Sequence, residues 1–209
     1  MAKRRDFGKR HSEIVHLTVL PRTKWGTPRK KILIYYSMIH TPYGKMLIAS
    51  VPDGICFLGC GNDKTLLLNS LQKRYPYAEI KKATLPIHQN ARKFFTKSWS
   101  ELEPISLCVR GTAFQGEVWQ ALLDIPIGNV CSYGDIAQKI GHPQSARAVG
   151  SAVGQNPIVY LIPCHRVICA NGKLGGFFWG VDHKLKFLNS ESDQCTKENG
   201  YSGWEPTLF

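Results

Sequence analysis

The chain has 209 residues, 43% of them hydrophobic, which is enough for one large core or two modest ones, and two small domains is the expectation. Lysine and arginine number 27 against 15 aspartates and glutamates, a balance that suits a polyanionic partner, although basic proteins also bind membranes or nothing in particular. No apolar run approaches the roughly 18 residues of a membrane span and no signal-peptide core follows the basic N-terminus, so the chain is expected to be soluble and cytoplasmic, with its seven cysteines reduced rather than paired.

Residues 1–31 carry ten basic and two acidic side chains, +8 of the total +12, and read as a flexible basic arm without the periodicity to fold alone. Such an arm either adds phosphate contacts or is a solvated tail without a specific role. Order is expected from Ile32, with the first domain spanning 32–109. Apolar and β-branched residues fill 32–39, turns lie at 41–44 and 52–54, and strands at 45–51 and 55–59 complete an antiparallel meander. Asp63 is placed to cap a helix with Leu67, Leu68, Leu71 and Tyr75 on one face, and Pro76 ends it. A polar connection leads to a second helix from Pro86, with Ile87, Ala91, Phe94 and Phe95 as its stripe. Residues 105–109 are a short strand that can rejoin the sheet. This unit contains no catalytic constellation. Cys56 and Cys60 have a spacing found in some zinc sites, but no second pair follows at finger-like distance; a buried strand is the simpler account, and no metal is assigned.

A second domain is expected over 110–192, followed by a polar tail at 193–209. Thr112 and Gln115 form a capping box before a stripe of Phe114, Val118, Ala121, Leu122 and Ile125. Ser132 caps a short helix, residues 141–143 break it, and another helix runs over 144–154; helix, glycine-containing turn, helix is the helix-turn-helix pattern. In the latter helix Ala146, Val149 and Val153 share the inward face, and Arg147, Gly150, Ser151 and Gly154 share the other. Glycine in a helix costs about 1 kcal/mol against alanine, so this face serves close approach, either to a DNA groove or to another part of the protein. Residues 158–162 read as an apolar strand leading to Pro163 and Cys164. A thiol becomes a good nucleophile only as the thiolate, and His165 is a candidate base; the same pair also describes a small buried residue beside a core histidine. Residues 167–169 read as a strand, 175–180 as a glycine-hinged aromatic loop, and 184–190 as a final helix with Leu185 and Leu188 inward.

The string Pro163-Cys164-His165-Arg166-Val167, preceded by Ser145-Ala146-Arg147-Ala148-Val149-Gly150 and Asn156-Pro157, resembles the O6-alkylguanine-DNA alkyltransferases, or methylated-DNA–protein-cysteine methyltransferases. The likeness covers residues 32–191, and Gly111-Thr112-Ala113-Phe114 with Trp179-Gly180 is most similar to the bacterial adaptive-response type. It implies an α+β fold: an N-terminal antiparallel sheet with helices, ribonuclease H-like, then a mostly helical C-terminal domain carrying the helix-turn-helix. It also implies direct, irreversible transfer of an alkyl group, chiefly methyl, from O6-alkylguanine to Cys164, with O4-alkylthymine as a further candidate substrate. The base would be flipped out of double-stranded DNA by a monomer without a cofactor or metal.

Carried over residue by residue, the resemblance makes His165 the base that acts on Cys164 through a water. Glu191 orients that histidine, Tyr133 donates a proton to guanine N3, and Asn156 fixes the turn presenting the cysteine. Arg147 fills the gap in the base stack, while Gly150, Ser151 and Gly154 let the helix lie in the minor groove. Val167, Phe177, Phe178 and Trp179 line the substrate pocket. Phe177 stands where the family usually has tyrosine, and Trp179 where members that accept bulky adducts have a small residue, which implies good removal of methyl and poor removal of benzyl. The N-terminal zinc ligands of some members, and the four-cysteine metal domain of the adaptive-response regulator, are not found. Two alternatives remain: a non-catalytic sensor of alkylated DNA, whose known forms replace the motif cysteine, and a helix-turn-helix transcription regulator, which usually reads bases with polar side chains rather than Gly and Ser.

Overall fold

A computed structural model describes residues 10–98 and 101–199, with side chains through residue 193. Its centre is the expected antiparallel meander: β2 (Ile32–Thr41), β3 (Gly44–Val51) and β4 (Gly54–Cys60), joined by tight turns. Gly54 is irreplaceable at the second turn, because its φ is 151° and a Cβ there would lie 2.5 Å from the Ser106 carbonyl oxygen. Every residue of β4 is buried, the pattern of a strand covered on both faces.

Outside the meander the sheet is mixed rather than wholly antiparallel. β6 (Ile105–Arg110) pairs parallel with β4, and β5 (Ala78–Lys82) pairs parallel with β2. β5 lies in what reads from the sequence as a polar connection. It is a charged edge strand with one large apolar residue, Ile80, at its middle, so it carries almost no hydrophobic signal. The strand order is β1-β6-β4-β3-β2-β5, and the outermost strand, β1 (Val15–Leu20), corrects the expectation of a flexible arm over 1–31. It follows a single helical turn, α1 (His11–Ile14), and runs parallel to β6 from Val15 opposite Ile105 to Leu20 opposite Arg110. Further on, Trp25 is buried against Tyr75, with ring centroids 4.6 Å apart. Alternation of Val15, Leu17 and Val19 with His16 and Thr18 is the strand signal, and charge averaged over 31 residues conceals it. Residues 1–9 of the arm lie outside the described residues.

Two helices cover the faces of the sheet. α2 (Lys64–Arg74) starts at Asp63, whose Oδ1 accepts from the Thr65 and Leu66 amides at 2.7 and 3.1 Å, and it buries Leu67 and Leu71 with Tyr75 just beyond. On the other face, α3 (Pro86–Lys93) places His88 between Ser37 and Ser50, at 3.0 and 2.9 Å from their hydroxyls.

The second unit continues the same core. α4 (Ala113–Leu123) has the expected Thr112–Gln115 capping box, and its Val118 and Leu122 pack in one cluster with Met46, Ile48 and Leu58 of the sheet. β7 (Cys131–Ser132) leads into α5 (Tyr133–Lys139), then a turn and α6 (Ala146–Gly154). β7 pairs with β8 (Val167–Ile168), and α7 (Val181–Asn199) closes the described chain. Two expectations fail here. Residues 158–162 are buried but form no strand; they fold into a compact turn bridged at Leu58–Ile158 and Val159–Ile162, with Tyr160 at φ 72°. The last helix is longer than 184–190 and rotated, burying Lys184, Phe187, Leu188 and Glu191 while Leu185 is 42% exposed. These positions follow the i, i+3, i+4, i+7 rule, but half of them are charged. Among the described residues no helix is long and apolar enough to cross a membrane.

Candidate active site

Cys164 is 6% exposed and begins a 3₁₀ turn, Cys164–Arg166, immediately after the turn at 158–162. Asn156, two residues past the end of α6, holds that turn shut. Its Oδ1 accepts from the Ile158 amide at 2.9 Å, and its Nδ2 donates to the Ile162 carbonyl at 2.9 Å and to Cys164 Sγ at 3.0 Å. One amide side chain therefore fixes the loop and touches the sulfur. Burial pushes the Cys164 thiol up to about 11, against the smaller opposing effects of the Asn156 hydrogen bond and the Lys184 charge. At rest the sulfur is protonated.

Behind it lies a fully buried ion network. His165 Nε2 is 2.8 Å from Glu191 Oε1, and Arg166 reaches the same carboxylate from Nε at 2.9 Å and Nη2 at 2.7 Å. The remaining Arg166 Nη1 donates to the Ile125 carbonyl. Burial disfavours the Glu191 carboxylate, but Arg166 and His165 outweigh it and hold Glu191 well below the usual carboxylate range. An ionised carboxylate can only accept, so Nε2 carries the proton. His165 itself is held below its ordinary value, chiefly by burial, so the ring is neutral with its lone pair on Nδ1. That nitrogen is buried and has no hydrogen-bond partner among the described residues. The ring is kept in place by stacking on Tyr160, with centroids 5.6 Å apart and planes 9° apart, and by Phe187 at 5.3 Å. Lys184, 1% exposed, donates to the Val167 carbonyl at 2.6 Å and to that of Leu174, pinning both ends of the segment after the cysteine turn.

Cys164 opens into a cavity of about 360 Å³ shared with Tyr133, Gly150, Val153, Gly154 and Asn156, and walled by Phe177, Phe178 and Trp179. Val167 does not line it. That residue is fully buried, pairs with Cys131, and uses its carbonyl to seat Lys184, so its expected place in the pocket is corrected. Tyr133 is half-buried, and burial followed by the nearby Cys169 and Cys164 raises its hydroxyl above the ordinary value. Gly175, at φ 70°, lets the aromatic loop pass beneath that hydroxyl; a Cβ would sit 3.4 Å from Tyr133 Oη and 3.1 Å from Cys169 Sγ. Trp179 rests on the sheet: a Cβ on Gly59 would lie 2.7 Å from two of its ring atoms, and Phe57 meets it edge-on at 6.2 Å.

The outer face of α6 carries Arg147, Ser151 and Gly154, all exposed, with Gly150 at the cavity rim. Neither glycine is demanded by internal packing. A Cβ on Gly150 would make ordinary contact with the Tyr133 ring at 3.7 Å, and one on Gly154 would meet nothing within 4 Å. Of the two readings of this face, tight packing within the protein is therefore the one the structure removes.

Two family models match the chain: 6-O-methylguanine DNA methyltransferase, ribonuclease-like domain, over residues 34–104, and the DNA binding domain of the same family over 113–193. The methylated-DNA–protein-cysteine methyltransferase of Methanosarcina acetivorans is 34% identical over 158 residues, covering 76% of this chain and 98% of the relative. The chain belongs to the 6-O-methylguanine DNA methyltransferase family. Another member, the bifunctional transcriptional activator/DNA repair enzyme Ada of Escherichia coli, is 37% identical over 78% of this chain, which spans about half of that relative's length, 47%. Among solved structures, the Mycobacterium tuberculosis methyltransferase OGT in complex with DNA superposes with a TM-score of 0.62 at 34% identity, covering 78% of this chain and 94% of the other.

Every residue expected at the site, from Tyr133 to Glu191, falls within the range matched to the family's DNA binding domain. Arg166, Lys184 and Tyr160 are the parts of this candidate site that sequence reasoning missed. Arg166 stood inside the quoted motif, and its signal was its place beside His165. Lys184 shares a helical face with Phe187, Leu188 and Glu191, a signal masked by its charge.

Proposed function

We propose that this chain repairs alkylated double-stranded DNA by moving a methyl group from O6 of guanine to the sulfur of Cys164, irreversibly and once per molecule. The observation that carries the reading is a cysteine in a base-sized cavity, hydrogen-bonded by Asn156 at 3.0 Å and followed by a histidine whose far nitrogen is held by Glu191 at 2.8 Å. His165, neutral and basic at Nδ1, takes the thiol proton through a water, and Glu191 stabilises the imidazolium that forms. The sulfur attacks the methyl carbon, the S–C bond forms as the C–O6 bond breaks, and the electron pair passes into the purine. Tyr133, whose raised value keeps its proton at neutral pH, protonates N3, so guanine departs neutral. The phenolate recovers a proton through solvent from the imidazolium. The net change is a thioether for a thiol and guanine for O6-methylguanine.

A duplex hides O6 inside the stack, so the base must be flipped into the cavity. The small-residue face of α6 supports that step: it admits close approach to a minor groove, with Arg147 projecting to occupy the gap, and α5, turn and α6 then act as a helix-turn-helix. The sheet unit up to about residue 109 frames the site and the unit after it performs the chemistry. Action as a monomer is part of the reading, since all these groups come from one chain. So is residence in the cytoplasm, which six free thiols among the described cysteines support.

The test is a duplex carrying one O6-methylguanine, digested and analysed after incubation. One methyl lost per wild-type molecule, and none with Cys164→Ala despite retained binding, is the expected result. Tight binding by the wild type without loss of methyl would instead indicate a sensor of the lesion.

A further inference from the structure

The loop between β2 and β3 is two residues long, and its second residue is Tyr43 rather than one of the small residues that usually fill such a turn. Thr41 holds the turn shut: its Oγ1 accepts from the Tyr43 amide at 3.2 Å and donates to the Gly44 carbonyl at 2.9 Å. From this fixed point the tyrosine side chain crosses to the second unit. Its hydroxyl donates to Ser190 Oγ at 2.6 Å, 147 residues along the chain and next to Glu191. Its ring meets Phe187 edge-on, with centroids 4.8 Å apart and planes at 83°, and its centroid lies 5.6 Å from that of Tyr160. Tyr160 and Phe187 are the two rings that hold His165, at 5.6 and 5.3 Å. One side chain from the sheet thus touches both rings that fix the imidazole and the helical turn that carries its carboxylate partner.

We propose that Tyr43 is a positioning residue for His165: it fixes the plane of the imidazole through Tyr160 and Phe187, and the place of Glu191 through Ser190. The inference rests on the alkyl-transfer reading and adds a part to it from the sheet unit. The 2.8 Å contact between His165 Nε2 and Glu191 Oε1 sets where Nδ1 points, so a tilt of the ring or a shift of α7 moves the lone pair that takes the thiol proton. Such a pair is only as well placed as the groups around it. Tyr43 is the common neighbour of those groups. Without its ring, Tyr160 and Phe187 lose the contact they share, and the imidazole between them is free to rock. Without its hydroxyl, the turn of α7 that carries Ser190 and Glu191 loses its tie to the sheet.

The experiment uses the full chain and compares Tyr43→Leu, which removes the ring, with Tyr43→Phe and Ser190→Ala, which remove only the hydrogen bond. Single-turnover methyl transfer is measured at saturating O6-methylguanine duplex, duplex affinity by titration, and the Nε2–H proton of His165 by NMR of protein carrying isotope-labelled histidine. Tyr43→Leu is expected to slow transfer about tenfold with duplex affinity unchanged, and to broaden or lose the Nε2–H signal through exchange with water. Tyr43→Phe keeps the ring and is expected to retain the signal and slow transfer only about threefold, the effect of one hydrogen bond. Ser190→Ala should match it, and the double variant should be no slower than either single one, because both remove the same bond. A rate and an Nε2–H signal identical to wild type in folded Tyr43→Leu would overturn the proposal, as would slower transfer with the signal unchanged. If Tyr43→Leu does not fold, the hydrogen-bond variants decide, and no effect or additive effects there would overturn it. If the wild type transfers no methyl, the alkyl-transfer reading fails, and the Nε2–H signal still decides whether Tyr43 positions the imidazole.

Discussion

Glu191 stays ionised at 2% exposure because three donors from Arg166 and His165 converge on its two oxygens. Glu191→Gln removes the charge while keeping the shape. Arg166 is then a buried cation without a counter-charge, a loss of about 3–5 kcal/mol, and the imidazolium formed in the reaction loses its stabilising partner. Lower thermal stability and a methyl-transfer rate down by about a hundredfold are expected, read by thermal unfolding and single-turnover kinetics. At Trp179 the issue is space. The ring is seated on Gly59 and cannot retreat into the sheet, so in the proposed reaction it is the group that limits the size of the alkyl substituent. Free O6-benzylguanine is expected to inactivate the wild type slowly and Trp179→Gly at least about tenfold faster; equal rates would remove Trp179 as the limit. Cys164, His165 and Asn156 were legible through a motif and Tyr133 through the family resemblance, whereas the roles of Arg166 and Lys184 were not. Charged residues are expected at surfaces, and only the fold shows that these two are spent on a carboxylate and on backbone carbonyls inside it.

α6 trades its own stability for a bare outer face. Gly150→Ala adds a methyl group that finds ordinary contact with Tyr133 and should stabilise the helix by roughly 0.5–1 kcal/mol. The same variant should bind a methylated duplex more weakly and transfer more slowly. Urea unfolding and a binding titration check both signs, and unchanged binding would mean that no groove approaches this face. On the other unit, His88 is pushed down to about 4 by burial between two serine hydroxyls. Its folded value lies below its unfolded one, so the unfolded chain takes the proton first. The stability it contributes is complete above about pH 6.5 and declines as pH falls towards 4. The urea midpoint should drop across that window, and this part of the drop should vanish in His88→Asn. Elements with a strong period, such as α2 and α4 with their caps, could be read in advance. β5 could not, being a charged edge strand whose pairing partner lies far off in the chain; β1 had an alternation that the charge of its basic segment concealed; and the turn at 158–162 owes its shape to the Asn156 side chain rather than to any pattern of its own.

The two units of the molecule share a core instead of hanging from a linker. Met46, Ile48 and Leu58 from the sheet pack with Val118, Leu122 and Ile158, and Arg74 of α2 donates to the Arg110 and Gln155 carbonyls at 2.8 and 3.1 Å while lying over the Trp119 ring. The sheet thus sets the height of α4, the exit of α6 and the seat of Trp179, which gives an apparently inert unit a part in the site. Its turns and caps were legible in the sequence, and its α+β class came from the family resemblance; its welding to the second unit was not legible, because contacts between distant segments leave no local trace. In the proposed reaction Cys164 is the acceptor of the alkyl group. The most direct measurement is the intact mass of the protein after exposure to a duplex with one O6-methylguanine, followed by mapping of the modified peptide. A gain of a single methyl group on Cys164 that stops at one equivalent is predicted. An unchanged mass, or a methyl group on any other residue, would rule out Cys164 as the acceptor.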